Sequence, residues 1–234
     1  MANKRKVNLP FFEIGPKSYL YGDDILELAN AADAASEKYG VDIIFTTPVV
    51  DIRRVKEATK NIHVFAPHMD PIYPGRGLAD ILPESLVAAG ADGVMLNHCE
   101  KPISFEVLSE TIKRANEVGL TTIVCADSLA EASKIASLNP DIIVAEPSEL
   151  IGTGVSVGEE YVRAATKSVK DVNPDILVLT AAGISNGQDV YNTIISGADA
   201  TGSSSGVAKA QDRAAMVDEM ISAVRRAYDE RAAK

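Results

Sequence analysis

The stretch GVMLNHCEKPISFEVLSETIKRANEVGLTTIVCA, residues 93–126, holds the pattern on which the fold turns. It opens on one apolar run, Gly93–Asn97, and closes on another, Thr122–Ala126. Between them Phe105, Leu108, Ile112 and Ala115 recur three or four residues apart, the spacing of one helix face. Ser104 is placed to cap that helix and Gly119 to end it. Neither apolar run alternates with polar residues, which is the mark of strands buried on both faces. A helix between two such strands predicts a parallel pair joined by a right-handed crossover.

The same alternation runs outward to both ends. Further strands are expected at Pro10–Ile14, Asp42–Thr46, His63–Ala66, Ile142–Ala145, Ile176–Thr180 and Ala198–Gly202. Helices are expected at Asp24–Tyr39, Arg53–Lys60, Pro83–Ala89, Ser104–Val118, Leu129–Leu138, Gly158–Val172, Gln188–Ser196 and Arg213–Ala232. Eight strands alternating with eight helices predict an α/β fold closed as a (β/α)8 barrel, a single domain over residues 1–234. The structural alternative is an open, doubly wound sheet, but no Gly-x-Gly-x-x-Gly follows the first strand. Two connections are long, from Pro67 to about Leu82 and from Pro147 to about Val157. Both follow the C-terminal ends of strands, the face where barrels of this kind carry their chemistry.

Composition narrows the function classes. Of 234 residues, 46% are hydrophobic and 24% charged, enough for a large core under an ordinary polar surface. A formal charge of −10 argues against nucleic acid and acidic membrane surfaces as partners. Any site for an anion must therefore be built locally. The basic start, Met1 to Val7, has no apolar segment behind it, and no apolar run reaches the length of a membrane span. Cys99 and Cys125 have neither disulfide nor metal spacing, so a reducing, cytoplasmic setting is expected.

Candidate chemistry sits at the ends of the expected strands. Glu146 leaves the apolar run Ile142–Ala145, where desolvation should raise its pKa toward that of a useful base; its plain alternative is a carboxylate paired with a lysine. His98 closes the fourth strand and faces the barrel mouth, unless it is simply a satisfied structural histidine. Lys17 follows the first strand in Gly15-Pro16-Lys17, where a solvated lysine is the ordinary outcome. His63 and His68 read as structural or exposed. No metal-ligand spacing is present, and no cofactor is expected. Three glycine-bearing turns share this face: Gly152-Thr153-Gly154, Ala182-Gly183-Ile184-Ser185 and Gly202 to Gly206. Small residues let backbone N–H groups approach an anion, and the turns after the seventh and eighth strands commonly hold phosphate.

These residues resemble the triosephosphate isomerase family in its shorter form, over nearly the whole chain from about Phe11 to Ala210. The specific pieces are Leu96-Asn97-His98-Cys99-Glu100, Glu146-Pro147-Ser148-Glu149-Leu150-Ile151-Gly152-Thr153-Gly154 and Ala182-Gly183-Ile184-Ser185. The resemblance implies that Glu146 is the catalytic base, His98 a neutral electrophile and Lys17 a cation beside the developing enediolate. It places Glu100 in support beneath the site, Gly152, Gly183, Ser205 and Gly206 on the phosphate, and Pro147–Gly154 as a lid. The expected substrate is a small phosphorylated sugar, a triose phosphate first, and the expected assembly a homodimer or homotetramer.

Departures from the family's motifs keep other readings open. Gly15 stands where the family has asparagine, Pro67 where it has glutamine and Leu78 where it has threonine. Gly202 and Ser203 replace apolar residues, and Ala181 replaces a common glycine. On this reading the loss of asparagine opens room at the end of the pocket away from the phosphate, and Leu78 lends it an apolar surface. The alternative substrate is then a four-carbon sugar phosphate, and behind it stands a phosphate-binding protein without chemistry.

Overall fold

The strands are β1 (Phe11–Ile14), β2 (Asp42–Thr46), β3 (His63–Ala66), β4 (Gly93–Leu96), β5 (Thr121–Ala126), β6 (Ile142–Ala145), β7 (Leu177–Thr180) and β8 (Ala200–Ser203). Every one pairs parallel with the next, and β8 returns to β1, so the sheet closes into a barrel. This computed structural model describes residues 4–233; the two ends of the expected domain, including the first residues of the basic start, lie outside the described residues. Around the barrel lie α1 (Asp23–Tyr39), α2 (Ile52–Ala58), α3 (Pro83–Ala89), α4 (Phe105–Val118), α5 (Leu129–Ala136), α6 (Glu159–Lys170), α7 (Gly187–Ile195), α8 (Ser205–Ala208) and α9 (Arg213–Ala232). Among the described residues no helix is long and apolar enough to cross a membrane.

Strand alternation sorts the side chains into two apolar layers. Phe11, Ile44, Phe65, Ile123, Ile142, Leu179 and Ala200 point inward and fill the barrel. Phe12, Ile43, Phe45, Val64, Val94, Val124, Ile143 and Val178 point outward against the helices. Each such fully buried side chain contributes about 1.5–3 kcal/mol relative to exposure. The helices close this outer layer with one face each. In α4, Leu108, Ile112 and Ala115 are buried, Ser104 Oγ accepts the Val107 N–H, and Gly119 ends the helix in the left-handed region.

The eighth strand begins two residues later than the sequence pattern predicts, because Asp199 is committed to a turn. Its carboxylate accepts the Val178 N–H of β7. The same device recurs at three other places around the barrel: Asp42 accepts from Asn8, just before β1, Asp92 from Val64 and Asp141 from Thr122. All four close the bottom of the barrel, opposite the mouth. The short helix α8 was not expected, and it follows directly on β8 at the mouth.

Candidate active site

A cavity of about 980 Å³ occupies the mouth of the barrel, and all eight site residues expected from the sequence line it. Inward parity along β6 runs Ile142, Val144 and then Glu146. The Glu146 N–H donates to Ala126 O at 3.0 Å, extending the ladder one residue past the strand. Burial raises the Glu146 pKa, Lys17 pulls it back, and Glu100 adds to the rise. The carboxylate is thereby made a stronger base without a bonded cation to quench it.

His98 is aimed by its neighbour. Asn97 adopts a left-handed backbone, φ 57°, and its side chain fixes the turn. Its amide donates to Cys125 O at 3.0 Å, and its carbonyl oxygen accepts the Ile103 N–H at 3.2 Å. His98 Nδ1 accepts the Glu100 N–H at 3.1 Å, which leaves the proton of a neutral ring on Nε2. Burial lowers its pKa and Lys17 lowers it further, against a weaker pull from Glu100. The imidazole is therefore neutral at pH 7.

Lys17 reaches the same space from the loop after β1, with φ 49°. Its ammonium donates to Glu100 Oε1 at 3.0 Å. Glu100 stands at the exposed rim rather than beneath the site, so it holds Lys17 from the solvent side. Three of the four non-glycine residues with positive φ among the described residues lie here, Lys17 and Asn97 being joined by Ala182 at φ 90°, while Asn139 lies between α5 and β6. Such strain persists only where surrounding structure imposes it.

Across the cavity the N–H groups of Gly152, Gly183, Ser205 and Gly206 donate to no acceptor among the described residues. Gly183 is required twice over. Its φ is 68°, and a Cβ there would lie 2.0 Å from the Val155 carbonyl oxygen at the foot of the 147–154 loop. That loop is a 3-10 turn, Ser148–Leu150, followed by two glycines of positive φ. It is tethered at one end, where the Ser148 N–H donates to Asp127 Oδ1 at 2.6 Å. His63 is buried beside Asp42, while His68 lines the cavity wall and faces Asp70.

The chain matches the family model described as triosephosphate isomerase over residues 16–221. It is 38% identical to the triosephosphate isomerase of Methanothermus fervidus over 203 residues, covering 86% of this chain and 91% of that protein. The Sulfolobus acidocaldarius triosephosphate isomerase is 34% identical over 226 residues, covering 95% and 98%. The chain belongs to the triosephosphate isomerase family. The Methanocaldococcus jannaschii member is similar at 37% identity over 203 residues, 86% of this chain and 92% of that protein.

Against that family, two expectations drawn from the departures need correction. Gly15 does not open room: a Cβ there would lie 2.9 Å from Glu13 Oε1, so a carboxyl from β1 already fills the space. Leu78 lends the pocket no surface, because it is fully exposed and outside the cavity lining. Glu13 itself was missed in the sequence. The signal was present, since Glu13 lies two residues after Phe11 in a strand buried throughout and so must point inward.

Proposed function

We propose that this chain isomerises a small phosphorylated sugar, interconverting dihydroxyacetone phosphate and glyceraldehyde 3-phosphate through an enediolate. The observation that carries this reading is the meeting of Glu146, His98 and Lys17 on one cavity opposite four free backbone N–H groups. The N–H groups take the phosphate, as small-residue turns favour. Glu146 removes a proton from the carbon beside the carbonyl, and its raised pKa suits that task. His98 donates from Nε2 to the carbonyl oxygen and then carries a proton between the two oxygens. Lys17 stabilises the negative charge that develops. Glu146 returns its proton to the neighbouring carbon, which completes the isomerisation with every atom conserved. Closure of the 147–154 loop excludes water, without which the enediolate would expel its phosphate.

A four-carbon substrate draws no support from the pocket, because the space it needs beside Gly15 holds the Glu13 carboxyl. A coupled assay across triose, tetrose and pentose phosphates tests the reading, with triose phosphate expected to give the highest kcat/KM. In Glu146→Asp the carboxylate retreats by about 1 Å, and turnover should fall by roughly several hundredfold while KM changes far less. Near-normal turnover in that variant would remove Glu146 from the mechanism.

A further inference from the structure

The cavity floor is a ring of inward-facing residues: Glu13 on β1, Thr46 on β2, Met95 on β4, Cys125 on β5, Val144 on β6 and Leu179 on β7. Glu13 alone among these six carries a carboxyl. It is buried, and its Oε1 accepts the Thr46 hydroxyl at 2.7 Å. Oε2 has no hydrogen-bond partner among the described residues. Lys17 does not neutralise it with an ion pair, for the Lys17 ammonium is held by Glu100.

Glycine stands on either side of this carboxyl. Gly202 is the register partner of Glu13 on β8, and a Cβ there would lie 2.9 Å from the Glu13 carbonyl oxygen, 3.0 Å from its Cβ and 3.1 Å from Oε2. Gly15, just past the end of β1, would bring a Cβ to 2.9 Å from Oε1. Glu13 and its two glycine neighbours, one on β8 and one just past β1, are thus fitted to one another. As packing the arrangement is poor, since burying an ionisable group costs more than filling the same space with an apolar side chain. Its place is also telling. It lies on the floor, within the barrel between Thr46 of β2 and Gly202 of β8, whereas the free N–H groups belong to turns beyond the ends of β6, β7 and β8.

We propose that Glu13 is a substrate-contacting, specificity-determining residue, whose Oε2 hydrogen-bonds an oxygen at the sugar end remote from the phosphate. This rests on the isomerase reading above. Burial, opposed by Thr46, pushes the Glu13 pKa up to about 7, with Glu146 raising it and Lys17 lowering it. The groups facing it are therefore the Thr46 hydroxyl from β2, Glu146 from the end of β6, Lys17 from the loop after β1 and the Cys125 thiol from β5. The protonated carboxyl donates to the substrate oxygen and tolerates the charge growing on the enediolate. Once ionised, it opposes both that charge and Glu146.

The test compares the unmodified chain with Glu13→Gln and Glu13→Ala, measuring kcat/KM for triose phosphate against pH and inhibition by inorganic phosphate. The unmodified chain should lose kcat/KM as pH rises through about 7. Glu13→Gln keeps a donor but cannot ionise, so that alkaline loss should disappear. Glu13→Ala should lower kcat/KM by about tenfold or more, as loss of a buried polar contact does. Inorganic phosphate should inhibit all three about equally, which also reports that the cavity is folded. An alkaline loss retained in Glu13→Gln, or a parallel weakening of phosphate inhibition in Glu13→Ala, overturns the assignment while leaving the isomerase reading intact. If the unmodified chain turns over no sugar phosphate, both fall together.

Discussion

Glu13 and Glu146 are both carboxyls pushed toward neutrality by burial, yet they stand in different surroundings. Glu146 follows a strand at the mouth with Lys17 pulling its pKa down, whereas Glu13 sits in the floor with a hydroxyl as its one bonded partner among the described residues. For Glu13 the folded chain holds a proton up to about pH 7, while the unfolded chain releases it near 4.5. Its contribution to stability is thus complete below pH 4.5 and is lost as pH rises through about 7. Glu13→Gln has no such proton to lose. Its stability relative to the unmodified chain should therefore improve by up to about 3 kcal/mol across that window. Melting temperatures followed against pH check this, and parallel curves for the two proteins would mean that the carboxyl is not held neutral.

At the level of elements, the turn after β7 packs directly against the foot of the 147–154 loop. Gly183 lies against the Val155–Ser156 backbone so closely that any side chain must push the loop away. It is also a residue of positive φ, which alanine adopts at a cost of about 1 kcal/mol or more. Gly183→Ala should accordingly weaken inhibition by inorganic phosphate and lower kcat/KM by about tenfold or more, with the barrel itself still folded. Unchanged phosphate inhibition would separate this turn from the anion site. The helices matter less to chemistry than the turns they follow. α8, only four residues long, begins with Ser205 and Gly206, both of which line the cavity.

At the scale of the whole molecule, stability and chemistry sit at opposite ends of the barrel. The four aspartates beneath it tie strands in pairs, and Asp92 is the most heavily used. It accepts the Val64 N–H and pairs with Lys56 and Arg5. Asp92→Ala leaves those donors without their acceptor and should cost about 2–4 kcal/mol, with kcat/KM unchanged well below the melting temperature. Denaturant unfolding and activity measured on the same preparation check both halves. Assembly is a further expectation at this scale. In the 67–82 loop Met69 is buried in its own barrel, and Tyr73 stacks on Arg114 of α4. Leu78 is left fully exposed at the loop's outer side. We expect that apolar tip to meet a second copy of the chain, so that Leu78→Asp shifts the species seen in sedimentation toward monomer. A fully active monomer in the unmodified protein at micromolar concentration would rule this out.

Much of this was written in the chain itself. Apolar runs such as Ile142–Ala145 can be strands only if buried on both faces, and eight of them alternating with amphipathic helices leave few topologies besides a closed barrel. The expected roles of Lys17 and Gly183 came from the resemblance, whereas Glu146 and His98 were legible as candidates because each is an ionisable group at the end of such a run. Local pattern carries that information, since strand and helix periodicities are properties of neighbours in sequence. What it could not carry was the filling of space between residues far apart. Read alone, Gly15 is a missing side chain and therefore a gap. Closure of β8 onto β1 sets Gly202 beside Glu13, and the carboxyl so placed, two residues before Gly15 in the chain, fills that gap. Leu78 likewise reads as apolar surface for a pocket until the loop's path turns it outward. Periodicity decides which way a side chain points, but the volume it meets there belongs to strands that only the folded barrel brings together.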